Sequence, residues 1–352
     1  MKILQIMAGA AHGGAETAFV DMCIALHEAG ENIEVITRPN KIRVARLHAA
    51  GIKVHTAPFG GKIDIYTRWR IEKIIKKFKP DIVQTWMARA TEKTPRWRAS
   101  MNIARYVTVA RLGGYYDVKY FLSAEYFITN TPDIKTHLIR NGADQSKIRT
   151  INNFAETEIA AVPASRVAHD TPEKAVLLLA MGRLHVNKAF DVLIRSMADV
   201  PDVYLWIAGE GSERKNLESL IENLGLSGRV KLLGWREDRA AILKACDIFV
   251  LSSRAEPLGT VFIQAWAQGK PVIASASEGP LQFMNDGKDG LIFPVDDSAV
   301  LTETIKNLIN NKNLSEALAK AGYERYRADF TKESVIAAYL GFYHEVIKEM
   351  IS

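Results

Sequence analysis

Short apolar runs alternate along the chain with longer stretches whose apolar residues recur every three or four positions. Lys2–Met7 reads as a buried strand, Ala15–Ala29 as a helix and Glu31–Thr37 as a second strand, which together make a β-α-β start. Further strands are predicted at Ile52–Ala57, Pro80–Thr85, Tyr106–Ala110, Tyr126–Asn130 and Ile148–Asn153. Residues 156–173 are polar, contain two prolines and lack a period, as a linker would. A second series then begins, with strands at Ala175–Met181, Val203–Ala208, Val230–Leu233, Asp247–Leu251 and Pro271–Ser275. Helices are predicted at Ala189–Ala198, Arg214–Leu224, Ser315–Phe330 and Lys332–Ile351. Strands alternating with helices predict the α/β class with parallel sheets. A chain of 352 residues exceeds one ordinary core. The expected division is 1–158, a linker at 159–174, 175–330 and a terminal helix at 331–352.

Charge adds an asymmetry. Residues 1–170 hold 25 Lys/Arg against 16 Asp/Glu, and within 38–111 the ratio is 18 to 4. So large a basic excess points to an anionic partner: nucleic acid, an anionic membrane face or a phosphorylated glycolipid. Two places concentrate it. Thr67–Lys79 reads as an amphipathic helix with an apolar stripe of Trp69, Ile71, Ile74, Ile75 and Phe78, ringed by Arg68, Arg70, Lys73, Lys76, Lys77 and Lys79. Such a helix either packs on the sheet with a solvated basic face or lies against anionic lipid. Trp86–Arg105 interleaves Arg89, Arg96 and Arg98 with Trp86 and Trp97, which suits nucleic acid, a membrane or an acceptor. No nucleic-acid recognition module accompanies it. Two cysteines, Cys23 and Cys246, both in apolar runs, suit a reducing compartment. No apolar run reaches membrane-spanning length, and Met1–Met7 is read as a strand rather than a leader, so a cytoplasmic location is expected.

Candidate chemistry lies in the second half. In Ser252–Ser275 a strand ends in a loop with Glu256, Leu258, Gly259 and Thr260, and a helix begins there, stopped by Gly269 and Pro271. Free backbone N–H groups at a helix start suit a phosphate. Gln264 stands eight positions after Glu256, two turns into the helix. Upstream, Gly182, Arg183 and Lys188 occupy a strand-to-helix loop, where two fixed cations can neutralise a departing diphosphate. The N-terminal loop, with Gly13 and Gly14, lacks the Gly-x-Gly-x-x-Gly spacing of dinucleotide binders, and Arg38 stands where an acidic ribose ligand would end the second strand.

The stretch from Glu256 through Ala265-Trp266-Ala267-Gln268-Gly269-Lys270-Pro271-Val272, together with the Arg183/Lys188 loop, resembles the retaining glycosyltransferases of family 4. The resemblance implies the GT-B architecture: α/β, two Rossmann-like doubly wound parallel-sheet domains facing a central cleft. It places a nucleotide-sugar-binding domain at 175–330, an acceptor-binding domain at 1–158, and a last helix crossing back to the first. It implies catalytic roles for Arg183, Lys188 and Glu256. Gly182, Leu258, Gly259, Thr260 and Gln264 would hold the donor, and Gly13 and Gly14 would lie near donor phosphate or acceptor. Gln264 replaces the family's second Glu, which grips the ribose, and Ala189 replaces a Gly. Trp235, after Gly234, would either stack on the base or sit in the core. Arg111 stands near a family His, and with Arg89, Arg96 and Arg98 it is a candidate for acceptor or membrane contact. No Asp-x-Asp triplet is present, so no metal and no cofactor are expected beyond the nucleotide-diphosphate co-substrate. The expected partners are a nucleotide sugar and an anionic glycolipid or oligosaccharide of the lipopolysaccharide-core type, with peripheral contact to the cytoplasmic face of the inner membrane and no nucleic acid. The competing readings are a degenerate nucleotide- or glycan-binding protein, a nucleotide-sugar epimerase of the same fold and, on charge alone, a nucleic-acid binder.

Overall fold

The computed structural model describes all residues except 11, 12, 62, 156–158, 160, 257 and 352. The elements run Lys2–Met7 (β1), Gly14–Glu28 (α1), Asn32–Thr37 (β2), Lys41–Ala49 (α2), Lys53–Thr56 (β3), Ile65–Phe78 (α3), Ile82–Trp86 (β4), Met87–Lys93 (α4), Val107–Leu112 (β5), Tyr126–Thr129 (β6), Pro132–Arg140 (α5) and Ile148–Thr150 (β7). They continue with Val176–Met181 (β8), Phe190–Ser196 (α6), Val203–Ala208 (β9), Arg214–Asn223 (α7), Val230–Gly234 (β10), Arg239–Ala245 (α8), Ile248–Leu251 (β11), Thr260–Ala267 (α9), Val272–Ser275 (β12), Glu278–Phe283 (α10), Leu291–Phe293 (β13), Ser298–Asn310 (α11), Lys312–Asp329 (α12) and Lys332–Ile351 (α13). The chain forms two compact units: Met1–Asn153 with the segment from Lys332 onward, and Phe154–Thr331.

In the first unit seven strands form one sheet in the order β3-β2-β1-β4-β5-β6-β7, every pair parallel. In the second, six strands follow the order β10-β9-β8-β11-β12-β13, again all parallel. Parallel strands must be joined by crossovers, so helices cover both faces and the strands read as near-continuous apolar runs. Leu177–Ala180 and Phe249–Leu251 are accordingly buried throughout. In each sheet the strand order reverses once, between β1 and β4 and between β8 and β11. That is where a crevice opens at the carboxyl ends of the strands.

Three expectations are corrected in the first unit. Ile71, Ile74, Ile75 and Phe78 of α3 are buried, but Trp69 is half exposed. It lies off the stripe because the helix starts at Ile65 and turns Tyr66, Trp69 and Lys73 outward together. Trp86 is fully buried, its indole N–H donating to Gln5 Oε1 at 2.8 Å, and Trp97 carries Arg105 over its ring. These indoles are therefore not a free stacking platform. Arg111 is buried as well, on the central strand β5. Its guanidinium lies 4.1 Å from the Trp86 ring centroid, donates to the Tyr339 hydroxyl on α13 at 3.0 Å and bonds Asn153 Oδ1. It is not at an acceptor or membrane surface.

In the second unit, Arg166 donates to the carbonyls of Glu173, Ala175 and Ala245, and Trp206 Nε1–H donates to Thr171. Much of the segment expected as a linker is thus tied to this unit, while the expected change of domain at Glu158 falls outside the described residues. Cys23 and Cys246 are both buried and unpaired. Burial pushes the Cys246 thiol up to about 12. The Trp266 indole fills the space beneath α12 and donates to Asp289 O at 2.9 Å. A Cβ at Gly322 would stand 2.3 Å from Trp266 Cδ1. Gly322→Ala should therefore force α12 off α9 and destabilise the protein by about 1–3 kcal/mol, read as a lowered Tm or denaturation midpoint.

Candidate functional site

The second unit's crevice is built from the loops that follow adjacent strands at the strand-order reversal. The loop after β8 carries Gly182, Arg183 and Lys188, and the loop after β11 carries Glu256, Leu258 and Gly259. Gly182, Arg183, Lys188, Trp235, Glu256 and Thr260 line one cavity of ≈ 350 Å³. Its floor depends on close backbone approach. Gly182 N–H donates to Ala208 O at 3.0 Å and Gly209 N–H to Gly234 O at 2.8 Å. A Cβ at Gly209 would lie 1.8 Å from Gly182 O, so only glycine permits this contact.

Lys188 is half-buried, and its Nζ pairs with Glu256 Oε2. The same carboxylate accepts from Ser253 Oγ at 3.4 Å and from the Gly259 N–H at 3.3 Å. Ser252 Oγ donates to Lys188 O at 2.9 Å, fastening the two loops. Ala189 follows Lys188 at φ 49°, a left-handed conformation that costs a non-glycine residue about 1–2 kcal/mol. Arg183 is exposed and has no ion pair or hydrogen bond among the described residues. Helix α9 starts at Thr260 behind Gly259, which caps it at φ 74° without a side-chain cap. Its first N–H groups are thus open to an anion, and its positive dipole end favours one.

Two further cations line the cavity, Arg236 and Arg239. Arg236 chelates Asp238 through Nε and a terminal nitrogen, and this holds the Asp238 carboxyl below its usual range. Arg239 packs 5.3 Å from the Trp235 ring centroid, and Trp235 is 62% exposed, so it is not a core residue. Sequence reasoning singled out Trp235 but not Arg236 or Arg239; the spacing of the three after Gly234 is the signal that could have found this edge of the site. Leu258 and Gln264 are half-buried and Gly259 is buried; none of the three is among the cavity-lining residues.

The other predicted residues lie in the first unit. A cavity of ≈ 600 Å³ there is lined by Gly9, Glu16, Arg38, Arg89, Glu92, Lys93 and Tyr116 among others, at the carboxyl ends of β1 and β4. Arg38 ties the loops together, donating to Gly9 O at 3.1 Å, Pro58 O at 3.0 Å and Phe59 O at 2.6 Å. Gly13 and Gly14 begin α1 beside this cavity's Glu16. A Cβ on Gly13 would meet Glu16 Oε2 at 2.4 Å, and Glu16 Oε1 accepts from Ala10 N–H at 2.7 Å. Arg96 and Arg98 are exposed without a described partner and do not line this cavity.

Residues 162–325 match the family model described as Glycosyl transferases group 1, and residues 12–159 match that of Glycosyltransferase Family 4. A lipopolysaccharide core biosynthesis glycosyltransferase, LpsE of Rhizobium meliloti (strain 1021), is 36% identical over 331 residues, 93% of this chain and 95% of that protein. The chain belongs to this glycosyltransferase family. A second lipopolysaccharide core biosynthesis glycosyltransferase of the same organism, LpsD, is 33% identical over 97% of this chain and 98% of its own length. Among solved structures, Anabaena HepE in complex with UDP superposes with a TM-score of 0.79 at 20% identity, covering 98% of this chain and 100% of its own. A Rickettsia africae glycosyltransferase gives 0.80 at 20% identity, covering 99% and 98%. The glycosyltransferase thus has the GT-B fold of two parallel-sheet α/β domains.

One contact of the glycosyltransferase is set by a glycine far along the chain. Gly279 N–H donates to Glu256 O at 2.6 Å, and Glu278 accepts from Glu256 N–H at 3.1 Å. A Cβ at Gly279 would lie 2.7 Å from Glu256 O. Gly279→Ala should displace Glu256 and lower turnover on the order of 100-fold, as ångström misplacement does. Steady-state kinetics beside a thermal melt would separate this from simple unfolding.

Proposed function

We propose that this glycosyltransferase moves a sugar from a nucleoside-diphosphate sugar to an anionic glycolipid or oligosaccharide, with retention of configuration and without a metal. The setting would be lipopolysaccharide-core or other cell-surface glycan synthesis at the cytoplasmic face of the inner membrane. The observation that carries this reading is the convergence of Arg183, Lys188, Glu256 and the start of α9 on one small cavity. Sugar transfer needs positive charge on the leaving diphosphate and a group that orients the sugar. Arg183 and Lys188 would take the diphosphate oxygens in charge-assisted hydrogen bonds, each contributing about 1.5–3 kcal/mol. The diphosphate would compete with Glu256 for Lys188 and leave the carboxylate to the sugar. The bond from the anomeric carbon to phosphate oxygen breaks, the bond to the acceptor oxygen forms on the same face, and the acceptor proton passes to the departing phosphate. Trp235 and Arg239 would border the base, with Gly182 and Thr260 around the phosphates and Leu258 and Gly259 behind them shaping the loop.

The acceptor is assigned to the first unit's cavity. Its carboxylates Glu16 and Glu92 suit sugar hydroxyls, and the exposed Arg89 suits an acidic group. The names of the relatives LpsE and LpsD support a lipopolysaccharide-core acceptor. Support for a nucleotide donor comes from the UDP complex of HepE.

A panel of UDP-, GDP-, ADP- and TDP-sugars tests the reading, with nucleotide release followed in EDTA, with and without a phosphorylated lipid-linked oligosaccharide. Release from one donor is expected to resist EDTA and to fall at least 100-fold in Arg183→Ala. Binding of a nucleotide sugar with no release from any donor would favour the non-catalytic reading, and inversion at the anomeric carbon of the product would end the retaining one. Gln264 accepts a weaker hydrogen bond from ribose than a carboxylate would. Gln264→Glu should therefore tighten nucleotide binding by about 1 kcal/mol with turnover kept, measured by calorimetric titration. Loss of turnover in this variant would refute the ribose assignment.

A further inference from the structure

The first unit carries an apolar spur that its own core does not use. Ile63, Ile65, Tyr66 and Trp69 are 89%, 74%, 54% and 52% exposed, at and just before the start of α3. Four large apolar side chains on one stretch of seven residues form a patch rather than scattered exposure. The spur is held in place. Asp64 caps α3 by accepting from Thr67 N–H at 2.9 Å and also accepts from Gly60 N–H at 2.6 Å, while Lys93 Nζ donates to Gly61 O at 2.9 Å. Tyr66 and Trp69 pack with ring centroids 5.8 Å apart, and Lys73 lies 5.1 Å from the Trp69 centroid. Arg68, Lys73, Lys76 and Lys77 are exposed behind them on the same helix and Lys79 at its end, with one carboxylate, Glu72, paired to Lys76 at 2.8 Å.

We propose that this spur is the part of the protein that enters an anionic bilayer, with the cations of α3 on the headgroups. Aromatic and aliphatic side chains beside a cationic face are what an interfacial membrane contact needs. A nucleic acid would use the cations but gain nothing from exposed isoleucines. A second protein would more often bury an apolar patch without a row of lysines beside it. The position also deepens the acceptor reading, on which it rests only for its purpose: Gly60 and Gly61, immediately before the spur, line the first unit's cavity. A sugar carried on a lipid anchor would reach that cavity from the surface into which the spur inserts.

The test is co-sedimentation of the purified full chain with vesicles of phosphatidylcholine alone and with a third of phosphatidylglycerol. Binding is expected for the anionic vesicles and to weaken with salt. It should fall at least about tenfold in Ile63→Ser/Trp69→Ser, because the transfer of each large apolar side chain is lost. A loss of about fivefold per charge is expected in Lys73→Gln and Lys77→Gln. Bromine-labelled lipid should quench tryptophan fluorescence in the native chain, and less so in Trp69→Phe. Equal vesicle binding by native and Ile63→Ser/Trp69→Ser protein would overturn the proposal, as would indifference to lipid charge. So would concentration-dependent self-association abolished by the same pair, or preferential binding of single-stranded nucleic acid. Vesicle binding needs no turnover, and nucleotide release needs no vesicle, so failure of the membrane assignment and failure of the transferase reading are told apart.

Discussion

Parallel strands cannot be joined by tight turns, and that constraint organises both halves of this protein. A return must cross a face of the sheet, in most cases here as a helix, though β5 reaches β6 through a short helical turn at Val118–Phe121; neighbouring loops at the carboxyl ends run to opposite sides where the strand order reverses. In the second unit that place lies between β8 and β11. Residues 70 positions apart, such as Arg183 and Ser253, are brought to one rim by it. The first unit repeats the arrangement between β1 and β4, and its cavity opens there too. The two cavities are thus placed by topology before any individual side chain is chosen.

Within the crevice, charge is arranged economically. On the proposed reading a diphosphate would bring about two negative charges for Arg183 and Lys188 to match, and Lys188 is already paired with Glu256. A carboxylate beside a lysine lowers the attraction for an anion at long range, but it keeps the lysine from folding back onto other acceptors. The segment after Lys188 is strained at Ala189, and its small buried methyl contributes roughly 0.8 kcal/mol of burial against about 1–2 kcal/mol of backbone cost. Burial thus offsets only part of that cost. An alanine is therefore tolerable here at a small net cost.

Much of this was legible in the chain. Continuous apolar runs followed by Gly-containing loops and 3.6-period segments revealed the alternating architecture, and the unit at 252–275 revealed its own geometry because its loop, helix start and stop are all marked by glycine or proline. What was illegible has physical causes. Helices such as Met87–Lys93 and Arg239–Ala245, seven residues each, are too short to show a period. Trp69 was grouped with the core because an aromatic residue among isoleucines fits a stripe on hydropathy alone, and only the helix start fixes which way it turns. Arg111 was read as a candidate acceptor or membrane contact from its place near a family His, a role that needs an open guanidinium. Burial of this guanidinium is offset by the Trp86 ring and by oxygens of Tyr339 and Asn153, contributed by positions far away in sequence. No local pattern encodes such a partnership.

The same burial changes how the basic excess of 38–111 should be read. A count of charges treats all 18 cations alike. Arg43, Lys93 and Arg111 are buried and spend their donors on backbone carbonyls or neutral side chains within the unit. Arg38 likewise ties its own loop to two others through carbonyl oxygens. These four contribute shape to the first unit's cavity and core more than field to its surroundings. The cations left for an outside partner are chiefly those of α3 and of Arg89, Arg96 and Arg98, and their number is still far above the exposed carboxylates nearby. A field from so few elements decays within a Debye length, about 8–10 Å in ordinary salt. It therefore acts on a surface brought close rather than steering a partner from afar, and apolar residues set among the cations supply the short-range attraction that charge alone, in salt, does not.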